Sequence, residues 1–145
     1  MESLKQFNVL DGQGIKLLRG AGILPVVISG RHGKHVEKRL NDLGIQHINL
    51  AVEKKITIAS EVLGSLGLNW KCAAVMGDDW PDLELIERCA FSCAPPNAHR
   101  EVITRANYVT KQRGGEGAVR DLCDLLITAT GKYGILLEEA LGLSK

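Results

Sequence analysis

The chain reads CAAVMGDDWPD over residues 72–82. An apolar run stops at a glycine, and three carboxylates, Asp78, Asp79 and Asp82, follow within five residues. Pro81 suits the first turn of a helix, because its fixed φ fits there and its missing N–H would have no partner in any case. The pattern predicts a buried strand, a tight turn with clustered acids at the strand's carboxyl end, and then a helix.

The three acids of this turn need a partner, because closely packed carboxylates repel one another unless a cation or a set of donors holds them. Mg²⁺ is the simplest candidate, since proteins bind it through one or two carboxylates together with water and substrate phosphate. A solvated acidic turn that caps the following helix is the alternative interpretation. The acids alone do not decide between the two.

Composition favours a single globular domain without nucleic-acid or membrane partners. The chain has 145 residues, and its 18 Lys+Arg nearly balance its 17 Asp+Glu. No apolar run is long enough to span a bilayer, and no signal-peptide core opens the sequence. The four cysteines show neither a C-x-x-C pair nor a histidine at metal-finger spacing. We therefore expect reduced thiols and a cytoplasmic protein.

Strand-like and helix-like segments alternate along the chain. Strands are predicted at Lys5–Val9, Leu24–Ile28, His47–Leu50, Cys72–Met76, Phe91–Ala94 and Tyr108–Val109. Helices are predicted at Gly14–Arg19, through Val36 to Leu43, through Ala59 to Leu66, and at Pro81–Arg88, Ala98–Ala106, Val119–Leu126 and Ile135–Leu141. Such alternation with short links predicts one α/β domain, a doubly wound (Rossmann-like) parallel sheet with helices on both faces.

Ligands of such sheets bind outside the carboxyl ends of the strands, and a second strand end carries suitable chemistry. Ser29, Gly30 and Arg31 follow an apolar strand directly. Backbone N–H groups at a helix start bind anions, glycine permits close approach, and an arginine fork matches phosphate or carboxylate. The alternative is a serine that caps a helix and an arginine that faces solvent.

Two adjacent lysines, Lys54 and Lys55, precede the helix that carries Ala59. A lysine in the first helical turn is slightly unfavourable against the helix dipole. A phosphate oxygen at the sheet's edge would hold one of them, whereas two exposed lysines on a surface helix are the alternative.

Along the chain a strand-ending hydroxyl (Ser29) is followed by a lysine (Lys55, or else Lys54) and then by the acid turn (Gly77–Asp82). This order resembles that of the haloacid dehalogenase-like phosphohydrolases. In that superfamily a Ser or Thr ends one strand, a Lys lies on a helix, and a Gly-Asp-Asp-x-x-Asp turn follows. Four segments more narrowly resemble the 3-deoxy-D-manno-octulosonate 8-phosphate phosphatases. They are FNVLDGQGI at 7–15, ISGR at 28–31, GDD at 77–79 and GGEGAVR at 114–120, and the likeness runs from residue 2 to residue 132.

This resemblance implies a Mg²⁺-dependent phosphatase that releases phosphate from 3-deoxy-D-manno-octulosonate 8-phosphate in lipopolysaccharide precursor synthesis. It implies Lys55 as a catalytic residue and Ser29 with the N–H of Gly30 as the phosphate cradle. Arg31 is the candidate for the carboxylate of the sugar acid.

Further roles follow from the same resemblance. Asp78 would ligate Mg²⁺, while Asp79 and Asp82 would hold metal-bound water or position the lysine. Asn8 and Asp11 would line the mouth of the site, although Asp-Gly at this point is also an ordinary turn and helix cap. Trp70, Trp80 and the four histidines receive no chemistry, since the histidines show no ligand spacing.

One departure from the family pattern is large. Members begin with a strand that ends in Asp-x-Asp, whose first aspartate attacks phosphorus and whose second acts as general acid and base. No Asp-x-Asp occurs in these 145 residues. Of the hairpin that builds the family's tetramer, only the last strand, near Glu2–Val9, is recognisable. We therefore expect residues 1–145 to be one N-terminally shortened phosphatase domain that lacks the family's first strand and turns over negligibly by itself.

Two other interpretations stay open at this point, and a third is disfavoured. The chain could be a non-catalytic binding or oligomerisation module, like the phosphatase-like domain of some sialic-acid cytidylyltransferases. It could also act on a nine-carbon sugar-acid phosphate. A receiver-like signalling domain is disfavoured, because its acid pair would follow the first strand.

Overall fold

The computed structural model describes residues 8–143. Its helices are α1 (Val9–Gly20), α2 (Lys34–Asp42), α3 (Lys55–Ser65), α4 (Leu83–Arg88), α5 (Arg100–Arg105), α6 (Ala118–Ala129) and α7 (Tyr133–Ala140). Its strands are β1 (Val26–Ile28), β2 (His47–Asn49), β3 (Ala74–Met76), β4 (Phe91–Ala94) and β5 (Tyr108–Val109). Single 3₁₀ turns span Trp70–Cys72 and Trp80–Asp82. The strand–helix alternation predicted from the sequence is confirmed.

All strand pairs are parallel, as predicted, but they form two sheets where one was expected. β1 pairs with β2, and β4 lies between β3 and β5. A shared apolar cluster connects the two sheets: Ile56 and Ala59 of α3 and Leu85 of α4 pack with Ile28 of β1 and Val75 of β3. Helices α3 and α4 therefore hold the carboxyl ends of both sheets together.

Strand β3 is less buried than the sequence predicts. Ala74 is exposed, and Val75 and Met76 are only half-buried, whereas Ser92, Cys93 and Ala94 of β4 are fully enclosed. The difference follows from pairing, because within the described residues β3 pairs with β4 alone.

Helix α1 begins at Val9, five residues before the predicted start at Gly14, and this prediction was wrong. The Asn8 side chain caps it, since its Oδ1 accepts hydrogen bonds from the N–H groups of Leu10 (2.9 Å) and Asp11 (3.2 Å). Such an Asn cap is strongly preferred at a helix start. Of the strand predicted at Lys5–Val9, Val9 is helical, and residues 5–7, like the hairpin remnant at 2–7, lie outside the described residues.

Gly14 of α1 permits close packing against α6. A Cβ on Gly14 would lie 3.0 Å from Cβ of Cys123 and 3.1 Å from its Sγ. Leu18 of α1 and Ile127 of α6 belong to the same buried cluster as Cys123. The helix was predicted to start at Gly14, whereas this glycine lies inside α1 at the contact with α6.

Two boundaries near the acid turn also differ from prediction. The strand predicted from Cys72 begins at Ala74, because Asn69 caps the 3₁₀ turn before it through a 2.9 Å bond from the N–H of Lys71. The helix predicted from Pro81 starts as a 3₁₀ turn and continues as α4. No helix of the described chain is long and apolar enough to cross a membrane.

Candidate active site

A short ion pair joins the start of α3 to the acid turn. Nζ of Lys55 lies 2.6 Å from Oδ1 of Asp82, and the two side chains are 15% and 9% exposed. Lys55 is the first residue of α3, where a cation opposes the helix dipole. The carboxylate of Asp82 is what holds it there.

Asp82 also organises the backbone of the turn. Its Oδ2 accepts hydrogen bonds from the N–H groups of Asp78 (2.9 Å) and Asp79 (3.4 Å). Within the same turn, Oδ1 of Asp79 accepts a hydrogen bond from the N–H of Trp80 at 2.8 Å. Both oxygens of Asp82 are therefore committed to protein donors, which makes it an orienting group for Lys55 and for the turn.

Gly77 is required by this packing. A Cβ at this position would lie 2.8 Å from Cγ and 2.9 Å from Oδ2 of Asp82. Contacts below 3.0 Å force a shift, and this carboxylate is held by three donors. The glycine that ends the apolar run is thus a steric requirement of the ion pair.

The surroundings of Asp78 disfavour its charged form. Partial burial raises the pKa of Asp78 above its ordinary value, and the charges of Asp82 and Asp79 raise this pKa further, while Lys55 lowers it. A divalent cation would supply the missing positive charge. Mg²⁺ needs only one or two carboxylates beside water and substrate phosphate, and Asp78 with Asp79 fits that requirement. Among residues 8–143 no group of three or more His, Cys, Asp or Glu could hold a metal by itself.

The loop after β1 is tied to the loop that leads into α3. The N–H of Val52 donates to the carbonyl of Ser29, and the N–H of Ala51 donates to the carbonyl of Arg31, both at 2.9 Å. Ala51 adopts a left-handed φ of 56° to make this turn, a conformation that is uncommon for a residue with a side chain. The loop that carries Ser29 is therefore bonded to the segment that leads into α3, the helix that carries Lys55.

Within that loop, Oγ of Ser29 accepts a hydrogen bond from the N–H of Arg31 at 3.1 Å. The acceptor role leaves the hydroxyl hydrogen available to another group. Gly30 and Arg31 are exposed, as is Lys54 at the cap of α3. Ser29 is thus bonded to Val52, three residues before Lys55 in the chain, and Lys55 is bonded to Asp82.

Asn8 and Asp11 take part in the scaffold. Asp11 Oδ1 accepts a 2.8 Å hydrogen bond from the N–H of Arg120 in the first turn of α6. Gly117, the residue before α6, offers no side-chain cap, so Asp11 replaces one from 109 residues away. The interactions recorded for both residues belong to α1 and α6, and their contact with substrate stays a prediction.

Sequence reasoning missed His99, the N-cap residue of α5, which contacts the acid turn. Its backbone N–H donates to the carbonyl of Asp78 at 2.8 Å, and its ring Nδ1 accepts from Nε1 of Trp80 at 3.2 Å. The search for histidines at metal-ligand spacing could not find it, because its partners are a backbone carbonyl and an indole.

Comparison with known proteins gives consistent results. The profile of the haloacid dehalogenase-like hydrolases matches residues 47–121. The 3-deoxy-D-manno-octulosonate 8-phosphate phosphatase KdsC of Escherichia coli K12 is 42% identical over 143 residues, which is 99% of this chain and 74% of that protein.

Two solved structures extend the likeness to three dimensions. The 3-deoxy-D-manno-octulosonate 8-phosphate phosphatase of Yersinia pestis superposes with a TM-score of 0.87 at 39% identity, over 90% of this chain and 71% of that one. The enzyme of the same name from Moraxella catarrhalis, solved with a magnesium ion, a phosphate ion and a KDO molecule, gives a TM-score of 0.91 at 32% identity over 94% and 78%.

Proposed function

The chain belongs to the haloacid dehalogenase-like hydrolases, and within them to the 3-deoxy-D-manno-octulosonate 8-phosphate phosphatases, and from this premise we propose that its site binds 3-deoxy-D-manno-octulosonate 8-phosphate for hydrolysis of the phosphate monoester. The buried pair of Lys55 and Asp82 beside Asp78 is the observation that carries the proposal. The oriented ammonium of Lys55, together with a cation at Asp78, supplies the positive charge that a phosphate dianion needs beside these three carboxylates.

Lys55 acts on the phosphoryl group. One of its three N–H donors points to Asp82, which leaves two for oxygens of the substrate. Phosphoryl transfer depends mainly on positioning and on neutralising charge at those oxygens. Because Asp82 fixes the ammonium before substrate arrives, little reorganisation is needed during the reaction.

Ser29, Gly30 and Arg31 complete the cradle. The Ser29 hydroxyl, which already accepts from the N–H of Arg31, donates its hydrogen to a phosphate oxygen, and the N–H of Gly30 donates to another. The exposed guanidinium of Arg31 is free to reach the carboxylate of the sugar acid. Asn8 and Asp11 remain candidates for the mouth of the site.

Magnesium is the cofactor in this proposal, held by Asp78 and Asp79, with Asp82 positioning the turn. The ion supplies neutralisation of the phosphoryl oxygens when bound. The raised pKa of Asp78 and the magnesium in the Moraxella catarrhalis structure support this assignment.

Turnover by these 145 residues alone is a separate matter. The chain contains no Asp-x-Asp, so the family's nucleophile and its general acid and base are not among its residues. We expect the polypeptide of residues 1–145 to bind substrate and to release negligible phosphate. The absence of this motif equally favours a second candidate, a non-catalytic module that binds the sugar acid phosphate.

A binding titration tests the proposal directly. Amide resonances of Ser29, Lys55 and Gly77–Asp82 should shift when 3-deoxy-D-manno-octulosonate 8-phosphate is added with Mg²⁺. The dephosphorylated sugar acid should shift them far less, because it lacks the dianion. A nine-carbon sugar-acid phosphate that binds more tightly would change the substrate while keeping the reaction class. Equal response to the phosphorylated and dephosphorylated acids would overturn the proposal.

The setting of the domain completes the proposal: residues 1–145 act as one domain, in the cytoplasm, as a homo-oligomer such as a tetramer. The four cysteines are free, as expected of a reducing compartment. Exposed apolar side chains on α7 and after it, Tyr133, Ile135, Leu137, Leu141 and Leu143, offer area for contact between subunits.

A further inference from the structure

His99 contacts the acid turn at two points. Its backbone N–H donates to the carbonyl of Asp78 at 2.8 Å. Its ring Nδ1 accepts from the indole Nε1 of Trp80 at 3.2 Å. These two partners lie on either side of Asp79, so the histidine spans the segment that carries both candidate metal ligands.

The ring geometry supports a specific contact. The rings of His99 and Trp80 meet edge to face, with centroids 5.8 Å apart and planes at 89°, an arrangement that aromatic pairs prefer. Trp80 is 62% exposed, so burial does not fix its ring. The hydrogen bond to His99 is what orients it.

Two hydrogen bonds hold the backbone of Asp78, one at its N–H and one at its carbonyl. Asp82 holds the backbone N–H of Asp78, and His99 holds its carbonyl. Both backbone groups of this residue are therefore held, and its carboxylate lies beside that of Asp82, where a cation would offset the two neighbouring charges. A carboxylate on a fixed backbone loses less entropy on binding a metal, and the partners that orient metal ligands contribute strongly to affinity.

We infer that the side chain of His99 is a positioning group that orients the indole of Trp80 and so preorganises the adjoining Asp78 and Asp79 for the divalent cation. The backbone N–H bond to the Asp78 carbonyl supports the turn whichever side chain stands at position 99. The inference rests on the proposed Mg²⁺ site. The competing explanation is a plain helix cap, because Nδ1 also accepts from the N–H of Glu101 in α5 at 3.1 Å. A cap would stabilise α5 and leave the metal affinity unchanged.

Three substitutions separate the two roles. His99→Asn places its amide oxygen close to the position of Nδ1, so it retains both the cap and the indole contact. His99→Ser retains a capping oxygen that is too short to reach the indole. Trp80→Phe keeps an aromatic ring but has no indole N–H, and it leaves the helix cap that His99 forms with Glu101 intact.

The readouts are spectroscopic and thermodynamic. The indole N–H resonance of Trp80 reports the contact, with the indole of Trp70 as the internal control. Mg²⁺ affinity is read from the amides of Gly77–Asp82, and Asp78→Asn is the positive control. We expect His99→Ser and Trp80→Phe each to weaken Mg²⁺ binding about tenfold, the lower limit for lost orienting partners. The variant that combines His99→Ser with Trp80→Phe should bind Mg²⁺ no more weakly than either single variant. The Mg²⁺ affinity of His99→Asn should stay within about twofold of that of the parent.

Each result has one meaning. If Asp78→Asn abolishes Mg²⁺ binding while His99→Ser moves only the Trp80 indole resonance or the unfolding midpoint, His99 is a cap, and the inference alone is overturned. If the parent chain shows no Mg²⁺ response, the proposed metal site and this inference are overturned together. Additive losses in the double variant would also contradict the inference, because they would show that the two residues act independently.

Discussion

The ammonium of Lys55 lies 2.6 Å from Oδ1 of Asp82, 27 residues further along the chain. The pair connects the helix after one sheet to the turn after the other, and both side chains are largely buried. Removal of either partner would leave the charge of the other largely buried without a counter-ion.

The first prediction concerns stability. Asp82→Asn should lower the free energy of unfolding by about 3 kcal/mol, because it leaves a mostly buried ammonium without its counter-ion. Urea unfolding measures the change. The matched control is Glu101→Gln, which removes an ion pair to Arg105 of the same 2.6 Å length whose side chains are 39% and 42% exposed. That exposed pair should contribute at most about 1 kcal/mol, and equal losses in both variants would contradict the assignment.

Gly77→Ala should disturb the same pair without removing a charge. Its Cβ would lie 2.8 Å from Cγ of Asp82, so the carboxylate must move, at a cost of about 1–3 kcal/mol. Gly64→Ala is the control, since nothing lies within 4 Å of a Cβ there in helix α3. The control should stabilise the fold by up to about 1 kcal/mol through helix propensity. A Gly77→Ala protein as stable as the parent would show that the turn is looser than described.

Asp11 distinguishes a scaffold role from a substrate role. Asp11→Ala should cost about 1 kcal/mol, the usual value of a lost helix cap, because the N–H of Arg120 loses its acceptor. Asp11→Asn keeps an acceptor oxygen and should restore most of the stability. Thermal unfolding measures both variants. Weaker sugar-acid binding by the Asn variant at unchanged stability would instead assign Asp11 to the substrate.

Asp78 gives the protein a characteristic pH dependence. Its pKa in the folded chain is raised above its ordinary value of 3.8, so between the two pKa values the folded state binds more protons than the unfolded state. Stability from this group therefore falls as pH rises through that window. Without Mg²⁺, Asp78→Asn should be the more stable protein at neutral pH, and the difference should vanish in acid. A stability difference that is independent of pH would contradict the shift.

Local patterns predicted much of the fold. The apolar run before Gly77, the proline after it, and the lysines before Ala59 each indicated an element or a site that the structure contains. Asn8 is an ordinary cap that the same reasoning could have placed, had residues 5–9 not been predicted as a strand.

Long-range contacts explain what the sequence could not predict. The close approach of Gly14 to Cys123, the cap that Asp11 supplies to Arg120, and the grip of His99 on Asp78 join residues far apart in the chain. No periodicity or spacing encodes such pairs. The contact of Lys55 with Asp82 is also long-range, and here the family resemblance, which implied that Asp79 or Asp82 could position the lysine, supplied what local patterns could not.

Phosphate binding by matched lysine variants tests the central claim most directly. Lys54 and Lys55 are adjacent and carry the same charge, but only Lys55 contacts the acid turn, while Lys54 is exposed. Affinity for 3-deoxy-D-manno-octulosonate 8-phosphate in the presence of Mg²⁺ would be measured by calorimetry for Lys55→Ala and Lys54→Ala. We predict a loss of about tenfold or more for Lys55→Ala, as for a charge-assisted hydrogen bond, with Lys54→Ala close to the parent chain. Equal losses would show that the site attracts phosphate only through overall charge, and would contradict the proposed phosphatase site.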